Sequence, residues 1–309
     1  MPELEGVRVT VLGGDRREVE MVRVLHRLGA SLILVGLPLP SGLSEARTVA
    51  DGPTAVAGAD VIVAPMRGLD REGRIPTLLV PEMPPLRLDA RLVHEMTPGA
   101  LFLAGQLREE PRDVLERRGL KVVELGRLDE VAVLNSVPTA EGAVQLAMEE
   151  LPITLHGAAA AVIGAGRCGL TLAQKLVALG ARVAVVEPLP DRQARAVTLG
   201  CRCFPPDRLG EALADADVVF NTVPAPVLDR DRLEQLPPEA LVVDIASEPG
   251  GTDFEAARRL GVKAILALGL PGKVAPKSAG LILGQVIPRL IREHLRERLG
   301  QPETRGAAR

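Results

Sequence analysis

The six residues Gly164-Ala165-Gly166-Arg167-Cys168-Gly169 constrain this chain more than any other stretch, because of what flanks them. The apolar, strand-forming run 158–163 leads into them, and the amphipathic run 167–179 leads out. A strand that ends in Gly-x-Gly-x-x-Gly and feeds straight into a helix is the fingerprint of a dinucleotide-binding βαβ unit. Gly164 permits the tight turn. Gly166 lets the backbone approach a pyrophosphate, and Gly169 lets helix and strand pack closely. The unpaired amides at the helix start, where Arg167 and Cys168 stand, are suited to hold phosphate oxygens. Further on, Glu187 ends the next strand, where an acid accepts hydrogen bonds from both ribose hydroxyls of NAD. The competing reading is a merely structural tight turn.

The same alternation runs through the whole chain. Short apolar runs at 7–12, 31–35, 59–64, 77–80, 100–104, 121–125 and 131–134 read as strands, with a helix over 18–28. A second series follows Pro152, with strands at 158–163, 181–186, 217–223, 241–246 and 262–268. Nearly continuous apolar strands separated by helices mean a parallel sheet covered on both faces. The expected fold is therefore α/β: two doubly wound, Rossmann-like parallel-sheet domains flanking a cleft. Residues 1–136 form the substrate-binding domain, 137–276 the NAD(P)-binding domain, and 301–309 a disordered tail. A helix over 139–150, opened by Pro138 and Thr139, links the two. The final helix, 277–300, carries Pro288 inside it and packs back on the first domain, kinked by that proline.

Loops at strand ends supply the remaining candidates. Gly13-Gly14-Asp15-Arg16 occupies the first domain's equivalent turn without the three-glycine spacing, so a second dinucleotide site is not expected. Arg16 at a helix start suits a substrate carboxylate, whereas Asp15 there suits a simple helix cap. Asn135, Ser136 and Thr139 stand where the domains meet and suit either a substrate or a helix start. Thr222, Val223 and Pro224 follow the second domain's fourth strand, Ala246 and Ser247 its fifth, and Gly269 and Pro271 its sixth. These loops line the edge where a nicotinamide would lie, outside the carboxyl ends of the strands. His156, just before that domain's first strand, is the one histidine near the expected crevice; a structural role is the simpler account. Cys201 and Cys203 alternate on a strand and are read as packed inward.

Composition closes off several classes. A net charge of −3 leaves no basic excess for a general nucleic-acid binder. With no Tyr and no Trp, the core is aliphatic and base stacking on aromatics is nearly excluded. No apolar run is long enough for a membrane span, and the first residues lack the pattern of a signal peptide. The cysteines have neither a disulfide framework nor zinc-ligand spacing, which points to a reducing cytoplasm. No paired-acid or metal-ligand cluster is visible.

Several segments together resemble one family. They are Val11-Leu12-Gly13-Gly14-Asp15-Arg16, Asn135-Ser136-Val137-Pro138-Thr139-Ala140-Glu141-Gly142 and Ile163-Gly164-Ala165-Gly166-Arg167-Cys168-Gly169. To these add Asn221-Thr222-Val223-Pro224, Pro249-Gly250-Gly251-Thr252-Asp253-Phe254 and Gly269-Leu270-Pro271-Gly272-Lys273-Val274-Ala275-Pro276-Lys277. In this order they are similar to the dipicolinate synthase A-subunit family, over nearly the whole chain as far as Arg292. The resemblance implies oxidation of dihydrodipicolinate to pyridine-2,6-dicarboxylate, with NADP, in the mother cell of a sporulating bacterium. It also implies a partner, the flavoprotein-like dipicolinate synthase B-subunit; a homo-oligomer is expected too. Glu187 on its own favours NAD, so the expected cofactor is NAD(P). For that reaction Arg16 and Lys277 are the candidate carboxylate holders, with Asn135 beside them. The candidate base is His156, or a water held by Ser136 and Thr139. Two other functions fit the layout: a two-domain 2-hydroxy-acid or amino-acid dehydrogenase, and a non-catalytic NAD(P)-sensing protein. Hydroxy-acid dehydrogenases resembling this plan use a histidine late in the cofactor domain, and none occurs between His156 and His294.

Overall fold

The computed structural model describes residues 3–43 and 46–300. The expected tail at 301–309 lies outside the described residues. The chain divides into two compact units. The first combines residues up to Val131 with those from Pro276 onward, and the second is Ala132–Ala275.

The first unit opens with β1 (Arg8–Leu12), α1 (Arg16–Arg27), β2 (Ser31–Val35), β3 (Arg47–Thr48), α2 (Gly52–Val56) and β4 (Val61–Val63). A small antiparallel pair, β5 (Arg74–Ile75) and β6 (Leu86–Arg87), is followed by α3 (Ala90–Glu95), β7 (Leu101–Ala104), α4 (Glu109–Arg117) and β8 (Lys121–Glu124). The six-stranded sheet has the order β3-β2-β1-β4-β7-β8, parallel throughout. Its apolar strands serve two cores by simple alternation. Val9, Val11, Val61, Val63, Leu101 and Leu103 face one cluster, while Leu12, Ile62, Phe102 and Ala104 face the other. Thr10, buried on the second face, donates its hydroxyl to Ala55 O at 2.6 Å.

Next comes α5 (Asp129–Glu150). The second unit continues with β9 (Ala159–Ile163), α6 (Arg167–Ala178), β10 (Arg182–Val186), α7 (Pro190–Thr198), β11 (Arg202–Phe204), α8 (Leu209–Leu213) and β12 (Val218–Asn221). It ends with α9 (Arg230–Leu233), β13 (Leu241–Asp244), α10 (Phe254–Leu260), β14 (Lys263–Leu266) and α11 (Leu270–Val274). Its sheet order is β11-β10-β9-β12-β13-β14, again all parallel. Both units therefore carry the doubly wound order in which the first strand of each sits beside the fourth.

The last helix, α12 (Pro276–Arg298), returns to the first unit and lies along α1. Gly280 sits over Arg17 and Glu20, and Gly284 over Val24, so the two helices run parallel with their starts together. Leu283, Ile287 and Ile291 fill the core beside Met21, Val22 and Leu25. The helix is continuous through Pro288.

Two expected strands are absent. Residues 131–134 belong to α5, which begins at Asp129 and holds Pro138 in its interior rather than at its start. Residues 77–80 form turns over the end of β1, where Thr77 makes a single bridge to Gly14.

Candidate active site

The turn after β9 has three glycines in three different situations. Gly164 has φ +92°, and a Cβ there would meet Thr222 Oγ1 at 2.6 Å and Val223 Cγ2 at 2.8 Å. At Gly169 a Cβ would stand 1.9 Å from Gly164 O, so only glycine lets α6 close on the turn. At Gly166, in contrast, nothing lies within 4 Å. Gly166 caps α6 and, being glycine, brings no side chain to the start of the helix. An open space at the start of a helix is what a pyrophosphate requires. The residues therefore fit a bound dinucleotide. Cys168, in the first turn of α6, is half-buried, and burial pushes its thiol up to about 11, which keeps it inert.

Glu187 departs from the sequence expectation. It is 2% exposed. Its Oε2 accepts the amide of Ala165 at 2.7 Å and its Oε1 that of Leu189 at 3.1 Å, with Arg192 at 3.9 Å. The carboxylate thus braces the glycine turn from within instead of standing free for ribose hydroxyls. Thr222 donates its hydroxyl to Ile163 O at 2.9 Å, locking the next loop onto the end of β9. Val223 is half-buried and Pro224 exposed beside it. Ala246 is buried and Ser247 exposed in the loop after β13. Gly269 (φ +68°) is exposed at the start of α11, and Pro271 is buried in its first turn.

In the first unit the corresponding turn is closed by the chain itself. Gly14 N donates to Pro76 O at 2.6 Å, and a Cβ at Gly13 would stand 2.3 Å from the same oxygen. Asp15 caps α1 in a reciprocal capping box with Glu18. Glu18 is 1% exposed, its oxygens accepting the amides of Asp15 at 2.7 Å and Met66 at 2.8 Å. Burial, with the Asp15 charge adding to it, pushes the Glu18 carboxyl up. Arg17 is buried against Asp15. Arg16 is exposed in the first turn of α1, and Lys277 is exposed in the first turn of α12. Because these helices run parallel with their starts together, the two cations share one end of the unit. Neither makes an ion pair or side-chain hydrogen bond among the described residues.

Of the residues expected to move a proton, His156 is placed elsewhere. His156 is exposed at the amino end of β9, its ring against Gly180, with the whole strand between it and Gly164. This corrects its expected place at the crevice: in a parallel sheet the residue before a strand belongs to the edge opposite the turn that follows it. Ser136 is 2% exposed, donating to Val133 O at 2.6 Å with Thr171 Oγ1 at 2.7 Å, which ties α5 to α6. Thr139 donates to Asn135 O at 2.7 Å, one turn back in the helix. Each hydroxyl spends its proton on a backbone carbonyl and keeps lone pairs that can accept a hydrogen bond. Asn135 Oδ1 is buried with no hydrogen-bond partner.

Residues 8–126 match the N-terminal domain of the dipicolinate synthase A-subunit, and residues 137–249 match the NAD-binding domain of D-isomer specific 2-hydroxyacid dehydrogenases. The dipicolinate synthase A-subunit of Bacillus subtilis (strain 168) is 36% identical over 94% of this chain and 97% of its own. The chain belongs to the dipicolinate synthase A-subunit family. The crystal structure of the family's member from Bacillus halodurans superposes with a TM-score of 0.86 at 34% identity, covering 93% of this chain and 98% of that one. The apo-structure of D-lactate dehydrogenase from Escherichia coli, at 15% identity, shares the fold with a TM-score of 0.65 over 98% of this chain and all of its own (100%).

As a member of the dipicolinate synthase A-subunit family with this cofactor domain, the protein is an NAD-binding dehydrogenase. Sequence reasoning places the loops that Asn221 and Asp244 open at the cofactor edge but does not single out these two buried side chains, each 0% exposed at the carboxyl end of its strand. A signal was present: an amide and a carboxylate closing otherwise wholly apolar runs, Val218–Asn221 and Leu241–Asp244. Among the described residues no group of acids, histidines and cysteines forms a metal site, and no helix is long and apolar enough to cross a membrane.

Proposed function

We propose that this chain oxidises dihydrodipicolinate to pyridine-2,6-dicarboxylate, with the first unit contacting substrate and the second holding a nicotinamide cofactor. The observation that carries the reading is the pairing of Arg16 and Lys277 at the parallel starts of α1 and α12. Two unpaired cations on two helix N-termini suit a ligand with two carboxylates. Asn135, with its buried, unpartnered Oδ1, is proposed as a further polar contact. The bound cofactor supplies the hydride acceptor. The chain's part is to fix the ring by its carboxylates, and such positioning contributes several kcal/mol to lowering a barrier. Loss of a ring proton makes the product aromatic, which drives the reaction forward.

The reading draws on the family for the substrate, for its partner (the flavoprotein-like B-subunit) and for a place in spore formation. Assembly into a homo-oligomer belongs to the same proposal. The cofactor is proposed as NAD or NADP. Glu187 is turned into the glycine turn and partly neutralised by Arg192, so its repulsion of a 2′-phosphate is weakened. Dihydrodipicolinate with either cofactor should raise absorbance at 340 nm; no rise with either would reject the reaction. A rise with lactate or alanine instead would support the hydroxy-acid or amino-acid alternative. Arg16→Ala and Lys277→Ala should each lose about 1.5–3 kcal/mol of charge-assisted binding, roughly 10–150-fold in KM. Unchanged kinetics in both variants would mean that the carboxylates are held elsewhere.

A further inference from the structure

The carboxyl ends of β12 and β13 meet in a buried polar knot centred on Asp244. Its Oδ1 accepts Asn221 Nδ2 at 3.1 Å and the amide of Ala246 at 3.0 Å. Its Oδ2 accepts the amide of Gly251 at 3.0 Å and the hydroxyl of Thr252 at 2.7 Å. No lysine, arginine or histidine pairs with it among the described residues. Asn221 passes the constraint on: its Oδ1 accepts the amide of Val223 and its Nδ2 also donates to Val223 O, each at 3.1 Å. Val223 and Thr222 in turn press against Gly164. The two loops are zipped together where Val227 and Leu228 donate to Gly251 O. A Cβ on Gly251 would meet Asn221 Nδ2 at 2.4 Å and the carbonyls of Val223 and Ala225 at 2.7 Å.

Burying a carboxylate without a cation is costly, and a core that needed only cohesion would use apolar side chains here. What four convergent donors gain from one carboxylate is fixed backbone: an asparagine cannot accept all four. The backbone so fixed is irregular and lies at the edge of a doubly wound sheet where ligands bind, on the half after the strand order reverses. We infer that Asp244 is a positioning residue that sets the loops 222–228 and 245–252 for the nicotinamide half of the cofactor. It acts through Asn221 and backbone amides and touches no reacting atom. The adenosine half is held separately, by the Gly164–Gly169 turn that Glu187 braces. The inference rests on the dehydrogenase class and is independent of which substrate is oxidised.

The test compares binding of ADP-ribose, which lacks nicotinamide, with binding of NAD and NADP, by calorimetry on the full chain. Asp244→Asn should weaken the intact cofactor about tenfold or more, through hydrogen bonds lost to a charged acceptor. ADP-ribose affinity should stay within about threefold of wild type, because hydrogen bonds outside the knot are untouched. Hydrogen exchange at the Ala246 and Gly251 amides should accelerate in the same variant. Thr252→Val, which removes one donor only, should give the same pattern in milder form, and Thr252→Ser should restore it. If Asp244→Asn does not fold, the Thr252 pair decides. Equal weakening of ADP-ribose and intact cofactor would reduce the knot to scaffolding. Unchanged cofactor affinity in a folded Asp244→Asn or Thr252→Val would overturn the inference outright.

Discussion

At Gly166 the backbone has φ −74°, a value any L-residue adopts, and the space beyond its Cα is empty of protein. A valine there costs the fold little and fills the place a pyrophosphate needs. Gly166→Val should therefore melt like wild type yet bind no NAD or NADP in calorimetry; retained affinity would exclude this turn as the phosphate cradle. Glu187 makes the opposite case, since its carboxylate serves the protein first. In Glu187→Ser the amides of Ala165 and Leu189 lose their acceptor, a loss of about 1.5–3 kcal/mol for hydrogen bonds to a charged group. Both cofactors should then weaken together, with the ratio of kcat/KM for NAD and NADP nearly unchanged. A swing of that ratio toward NADP would show that the carboxylate reaches the ribose after all.

Helix α12 meets α1 through Gly280 and Gly284. A Cβ on Gly280 would stand 2.4 Å from Arg17 O and 2.7 Å from Glu20 Cβ, and a backbone carbonyl cannot swing aside. Alanine gains about 1 kcal/mol in helix propensity, but overpacking typically costs about 1–3 kcal/mol. Gly280→Ala should thus lower the unfolding free energy in urea by up to about 2 kcal/mol; a stabilised variant would mean the helices part easily. At this scale the sequence was informative where independent signals agreed. The apolar runs at β1, β2, β9 and β13 and the turn before α6 stood out because alternation and glycine spacing pointed the same way. Helix α5 did not. Its apolar residues go all the way round, with Ala140, Ala143 and Ala147 buried and Val133, Val137 and Met148 exposed. Without a stripe, the short run 131–134 mimics a strand, and Pro138 mimics a start. The helix signal there was Asp129-Glu130, acids in a first turn. Residues 77–80 looked like a strand by composition, but their backbone is spent covering Gly13 and Gly14. The inward turn of Glu187 and the engagement of Ser136 with Thr171 depend on partners far away in sequence, which no local pattern encodes. His156 was misplaced for a topological reason: nearness to a strand does not say which end of the sheet a residue joins.

At the scale of the molecule, the far end of α12 is pinned by His294, 4% exposed, whose Nε2 lies 3.0 Å from Gly99 O while Nδ1 has no partner. Burial holds this imidazole below the usual 6.5; Lys121 and Arg298 push the same way, against the Gly99 hydrogen bond and Glu297. A depressed folded value means the stabilisation is present above the usual 6.5 and is lost as pH falls through that folded value. Wild type should lose melting temperature between about pH 7.5 and about pH 5.5, and His294→Gln, which keeps a donor for Gly99, should lose less. Equal losses would assign the acid sensitivity to other groups. The route of the chain adds a constraint on how the protein is made. The second unit is one unbroken stretch, whereas the first surrounds it in sequence and lacks α12 until the end. During synthesis, the apolar face of α1 around Met21, Val22 and Leu25 waits uncovered for roughly 10–30 s, at about 5–20 residues per second, while the second unit is translated. A ribosome stalled or a message cut before codon 276 would release a half-built first unit with that face bare, a natural client for chaperones, beside a second unit already able to close its own core.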